Sequence, residues 1–189
     1  MPNMVHWTHP AGVVPHLGRE EAEARHQYYI GPEHLLVGLL QQDEFLREAN
    51  SPGSGDDLAA ELLQAHGLDL ATVRAGIDGL VAEGALPVQP VPNTPGGGTP
   101  LTCHRVLLRA CEEAVARGSE VGPLHLLLGL LRDAERPVDE GLSPGELRLR
   151  SMFGLPNSGP SPIKLLVEGE GLTLEYLQAA VRAELDRDH

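Results

Sequence analysis

Nine histidines, two cysteines and a set of carboxylates are the groups in this 189-residue chain that could do chemistry. Their spacing argues against most of it. His6, His9 and His16 follow no metal-ligand interval, and no HExxH sets two histidines beside a carboxylate. Cys103 and Cys111 lie eight apart without a CxxC, which excludes a disulfide scaffold and suits a reducing cytosol. Both cysteines fall in a stretch with helical apolar spacing, where a small packed side chain is commoner than a catalytic thiol. No GxxxxGK followed by Ser or Thr occurs, nor a GxGxxG, so no nucleotide cradle is visible. The expectation is a non-enzyme with no catalytic residues, no metal and no cofactor.

Charge narrows the partners. The 14 basic and 27 acidic residues leave a net charge of −13 at neutral pH. A nucleic-acid binder would need a basic stripe to displace counterions, and an anionic membrane surface would repel this chain. The longest apolar run, Leu35 to Leu40, falls far short of the roughly 20 residues that span a bilayer. Met1 to Gly12 shows no basic segment followed by an apolar one, so no secretory signal is expected. A cytoplasmic location follows, with no nucleic acid and no membrane among the partners.

The elements that hold these groups come in two copies. Gly31-Pro32-Glu33-His34-Leu35-Leu36-Val37-Gly38-Leu39-Leu40 returns as Gly122-Pro123-Leu124-His125-Leu126-Leu127-Leu128-Gly129-Leu130-Leu131, with eight of ten positions identical at an offset of 91. The same offset pairs Thr8 with Thr99 and Glu21 with Glu112. Further on, Leu62-Leu63 through Gly67-Leu68-Asp69-Leu70 matches Leu165-Leu166 through Gly171-Leu172-Thr173-Leu174, at an offset of 103 read from Leu63 and Leu166. The fold class is therefore all-α: two four-helix repeats related by a pseudo-twofold axis and packed into one domain over 1–189. Repeat one covers about 7–84, a Pro/Gly linker about 85–98, and repeat two about 99–187 with a long insertion at about 136–162.

Helix signals fill in each repeat. Gly-Pro opens the second helix of each, with His34 and His125 as structural residues near its start. In repeat one the second helix is expected at Pro32 to Gln42, the third at Asp57 to His66 and the fourth from Asp69 to about Glu83. In repeat two the first helix starts at Thr99-Pro100 and runs to Arg117, the third lies around Ile163 to Val167, and the fourth follows Thr173 to about Leu185. The first helix of repeat one carries Gly12, Pro15 and Gly18, and a proline inside a helix costs about 3 kcal/mol. A broken or late-starting helix, regular only from about Arg19 to His26, is expected there. Within the insertion, Leu147 to Phe153 is basic and apolar: a short helix packed on the body, a partner-binding segment or a disordered stretch.

The duplicated motif, with a Thr at each repeat start, resembles the Clp N-terminal domain, the double repeat that begins ClpC-type AAA+ unfoldases. The family motif is usually Gly-Thr-Glu-His followed by Leu-Leu-Gly-Leu, and the resemblance spans about Trp7 to Leu185. In the unfoldases ATPase modules follow; this chain ends at His189 without one, so the resemblance implies a stand-alone module that binds but does not unfold. It further implies recognition of a Clp unfoldase, its substrates, degrons or adaptors, or a peptide ligand.

In some members each repeat holds a phosphoarginine pocket, the motif Glu pairing with the guanidinium and a Thr at the repeat start helping to hold the phosphate. A planar guanidinium matches a carboxylate fork, and free N–H groups at a helix start attract a phosphate. Here repeat one keeps Thr8 and Glu33 but replaces the motif Thr with Pro32, which removes one N–H and one hydroxyl. Repeat two keeps Thr99 but has Pro123 and Leu124, and a leucine binds no guanidinium. An alternative role is a decoy for peptide antibiotics, which in the family dock on aromatics near the repeat starts. Trp7 precedes Thr8, but Gly98 precedes Thr99. The candidate partner surface is thus Trp7 with Leu147, Arg148, Arg150 and Phe153.

Overall fold

In the computed structural model each Gly-Pro motif opens a helix, and these two helices form the hub on which the others pack. The structure describes residues 5–27, 29–49, 58–86, 101–138, 147–148, 151 and 158–187, with backbone alone at 101 and 102. Among them are α1 (His9–Ala24), α2 (Pro32–Glu48), α3 (Leu58–Ala65) and α4 (Leu70–Ala82) of repeat one. Repeat two supplies α5 (Leu101–Arg117), α6 (Pro123–Ala134), α7 (Pro162–Gly169) and α8 (Leu174–Leu185). No strand occurs among the described residues, only an isolated parallel bridge between Trp7 and Val121.

Contacts repeat across the axis. α1 packs on α2 as α5 packs on α6, while α3 reaches across to α6 and α7 to α2. The motif leucines make the joint core: Leu35, Leu36, Leu39, Leu126, Leu127, Leu130 and Leu131 are all buried. Each such side chain contributes about 1.5–3 kcal/mol when fully removed from water.

Glycine sets the closest approach in both repeats. A Cβ at Gly38 would stand 2.5 Å from the Val14 carbonyl oxygen, and one at Gly129 would stand 2.7 Å from that of Val106. These contacts correct the register. Val14 pairs with Val106 at an offset of 92, and His26 and Gly118 share it, both at positive φ. So do Glu21–Arg25 and Glu113–Arg117, ion-paired four residues apart. Glu21 therefore corresponds to Glu113, not Glu112, while the pairing of Thr8 with Thr99 falls on a residue outside those described. The single-residue difference is taken up in the connection before each motif. The third helices shift likewise: Gly67 N–H bonds Gln64 O as Gly171 N–H bonds Glu168 O, an offset of 104, which aligns Leu63 with Val167.

The first helix is not broken. α1 runs unbroken from His9, with Pro15 inside it and Thr8 as N-cap. Packing of Val14, Leu17 and Gly18 onto α2 outweighs the local proline penalty, since tertiary burial supplies most helical stability. α2 also runs two turns nearly beyond the expected Gln42, to Glu48. Thr173 caps the last helix, accepting from Tyr176 N–H, and Asp69 does the same for α4 by accepting from Thr72 N–H.

The linker begins with packed residues: Leu86 is buried and its N–H bonds Leu80 O. At the base of the insertion, buried Val138 donates its N–H to Gly159 O. Among the described residues no helix is long and apolar enough to cross a membrane.

Candidate functional site

The two helix starts that carry the motif are built alike. Gly31 N–H donates to His34 Nδ1 at 2.9 Å, which leaves the ring proton on Nε2, donated to Gln27 Oε1 at 2.6 Å. Gly122 N–H donates to His125 Nδ1 at 3.2 Å, and His125 Nε2 meets Ser119 Oγ at 3.2 Å. Each histidine thus caps its own helix by satisfying a backbone donor that would otherwise be orphaned. Burial holds the His34 imidazole below its ordinary pKa, and the nearby Glu33 carboxylate opposes this only in part. Both histidines are structural, as their place near a helix start implies, while their partners Gln27 and Ser119, which occupy the same place at the offset of 92, carry no motif signal.

The two motifs part company at their second helical residue. Glu33 is 1% exposed, and neither carboxylate oxygen finds a hydrogen-bond partner among the described residues. One oxygen lies 3.6 Å from His34 Nδ1. The carboxylate folds back over Gly31, in the room a side chain there would take: a Cβ would fall 2.2 Å from Oε1. At Gly122 the corresponding space holds only His125 Nδ1, 3.7 Å away, and Leu124 turns into the core. The positive end of the α2 dipole favours the Glu33 charge, but burial leaves it without a direct partner.

Thr8 and Glu33 do not come together. Gly18 meets His34 while Val14 meets Gly38, so α1 and α2 run antiparallel and their starts lie at opposite ends of the hairpin. With 1.5 Å per residue, that separates Thr8 from Glu33 by about 15 Å along the helices. Instead Thr8 joins the other motif: its N–H donates to Val121 O at 3.0 Å and its Oγ1 to the same oxygen at 3.3 Å. Val121 N–H returns the bond to His6 O at 2.8 Å. In the reciprocal contact, the Cys103 thiol near the start of α5 donates to Ile30 O, beside the Glu33 motif. Burial raises the Cys103 pKa well above the ordinary thiol range, and the Glu33 and Asp133 charges add to it. Each motif therefore faces the first helix of the opposite repeat.

Trp7 is half-buried and packed against the core beside its bridge to Val121. Leu147 is half-buried and Arg148 exposed, both helical. Thr99, Arg150 and Phe153 lie outside the described residues. Among the described residues no three His, Cys, Asp or Glu side chains converge as metal ligands would.

Comparison with known proteins gives this geometry a context. No protein-family model matches the chain. Over 130 residues, 68% of the chain, it is 32% identical to the chaperone protein ClpB of Oceanobacillus iheyensis. It is 31% identical over 131 residues to the chloroplastic chaperone protein ClpC1 of Arabidopsis thaliana. The chain spans only 14% and 12% of the length of these relatives. Its fold is similar to the crystal structure of the N-terminal domain of the caseinolytic protease associated chaperone ClpD from Arabidopsis thaliana. There the TM-score is 0.58 at 15% identity, covering 98% of this chain and 99% of that one. The chain has the fold of a Clp N-terminal domain and is a sequence relative of the Clp chaperones.

Proposed function

We propose that this chain is a non-catalytic protein- or peptide-binding module of the Clp system, recognising substrates, degrons or adaptors of a Clp unfoldase in the cytoplasm. The observation that carries the reading is the double repeat itself, with paired motif helices at its hub and a fold shared along nearly its whole length with the ClpD N-terminal domain. The test is a degradation assay with a purified Clp unfoldase and its protease. Adding the chain in excess is expected to change substrate turnover severalfold, slowing it as a competitor or raising it as an adaptor. Unchanged turnover, or ATP hydrolysis by the chain above a mock preparation, contradicts the reading.

One observation favours arginine-bearing ligands within this reading. The buried, unpaired Glu33 carboxylate at the start of α2 is a seat for a guanidinium, whose planar donors fit its two oxygens. On this reading, opposite-repeat residues near the start of α5 complete the site. Thr8 lies beside the Leu124 motif, which offers no carboxylate. Trp7, Leu147 and Arg148 are the surface residues proposed to meet a larger partner.

A further inference from the structure

α4 packs on α7 across the repeats as α3 packs on α8, so the molecule carries two copies of this joint. The offset of 104 that aligns Gly67 with Gly171 matches them residue by residue. At the α3–α8 joint, Tyr176 sets its ring edge-on to His66, with the centroids 5.1 Å apart. At the α4–α7 joint the same two positions are Thr72 and Glu170. There an open cleft of about 80 Å³ lies between the helices, walled by Leu80, Leu165 and Leu166, with no aromatic residue among those lining it.

The walls differ as well as the rim. Leu80 and Leu165 correspond to Glu184 and Glu61, so the open joint is apolar where the other carries carboxylates. Gly76 corresponds to Ala180, and a Cβ at Gly76 would fall 2.5 Å from Leu166 Cδ2. Leu166 therefore lies down against bare backbone, which shapes the floor of the cleft. At the rim Glu170 is exposed and has no ion-pair partner among the described residues.

We infer that the α4–α7 cleft is a docking site for an aromatic side chain of a partner protein, with a basic residue beside it. The molecule supplies the precedent: its own second copy of the joint carries a tyrosine ring where this one has Thr72. The incoming ring lies on Leu80, Leu165 and Leu166, and the cation meets Glu170, a charge-assisted match on a chain whose net charge is −13. The cleft admits one side chain and not a helix, so the partner presents an extended segment. This site shares no residue with the Glu33 motif and goes beyond the function proposed above.

The test is a titration of the full chain with the synthetic peptide acetyl-Ala-Tyr-Arg-Ala-amide, followed by amide NMR shifts. Shifts are expected over residues 68–80 and 165–170. The same peptide with alanine in place of tyrosine is expected to bind roughly fivefold more weakly or worse. Thr72→Tyr, which supplies the ring internally as the other joint does, is expected to weaken the tyrosine peptide similarly. Glu170→Lys, at an exposed position that leaves the fold alone, is expected to weaken it too. Tyr176→Ala and Glu33→Gln are expected to bind as the wild type does. No binding, shifts centred elsewhere, equal affinity for the two peptides, or affinity that neither Thr72→Tyr nor Glu170→Lys lowers overturns the proposal.

Discussion

The two repeats keep the same backbone devices and exchange the chemistry around them. Gly38 and Gly129 both let a neighbouring helix approach to its carbonyls, and His34 and His125 both cap the motif helix. Yet Glu33 becomes Leu124, and buried Gln42 becomes Asp133, which gathers Arg105 at 3.1 Å and Arg109 at 3.7 Å. Gln42 has no hydrogen-bond partner among the described residues. Close approach and capping are backbone requirements that few residues satisfy, so they persist through duplication. A side chain beside them can change charge without moving the frame. The frame is common property, and the side-chain chemistry around it differs from one repeat to the other.

The harshest way to break this comparison is to remove the close approach. Gly38→Ala and Gly129→Ala each place a methyl against backbone that cannot turn aside, and each is expected to lower stability by about 2–3 kcal/mol. Urea unfolding checks both. A large effect at one and none at the other would mean that the repeats are not held together in the same way.

Removing a cap comes next. His34→Ala removes the ring that accepts from Gly31 N–H and donates to Gln27 Oε1, and is expected to cost about 2 kcal/mol. It also changes the pH dependence. Because the folded state holds the His34 pKa below its unfolded value, the unfolded state binds the extra proton first as pH falls. His34 therefore contributes its full stability above about pH 6.5 and loses it progressively below, by at most about 1.4 kcal/mol per pH unit. Unfolding midpoints between pH 7 and 5 should show this slope in the wild type and a shallower one in His34→Ala. Parallel slopes would remove the buried neutral imidazole from the account.

A smaller effect sharpens the contrast between the motifs. Gly31→Ala collides with the Glu33 carboxylate and is expected to cost about 1 kcal/mol, whereas Gly122→Ala meets His125 only at ordinary contact distance and should stay within about 0.5 kcal/mol. Combining Gly31→Ala with Glu33→Ala removes the collision, so the pair should be less damaging than the two changes summed. Thermal or urea unfolding of the four variants reads this directly.

Much of the frame was legible because it is written in local signals. The ten-residue match, Thr173 at the start of the last helix, and Gly67 and Gly171 after the third helices all act within a few residues of themselves. What escaped depends on distant chain. Pro15 forbids a helix by propensity, but the fit of Gly18 and Val14 against α2 is a tertiary fact. The change of register from 92 to 91 hides in the connections between Gln27 and Gly31 and between Ser119 and Gly122, where no periodicity marks it. Thr8 and Glu33 looked like one pocket since they share a repeat. The antiparallel hairpin sends Thr8 to Val121 across the axis instead. The motif marks Glu33 as a carboxylate that could meet a guanidinium, and only packing makes it a buried one.

The claim that recognition chemistry survives in one repeat alone is tested most directly by calorimetric titration of the wild type and Glu33→Gln with phosphoarginine. A charge-assisted guanidinium–carboxylate contact is worth about 1.5–3 kcal/mol, one to two decades in affinity. The account predicts a single site per chain in the wild type, weakened at least tenfold in Glu33→Gln. Two equal sites, or binding that Glu33→Gln leaves unchanged, would contradict it.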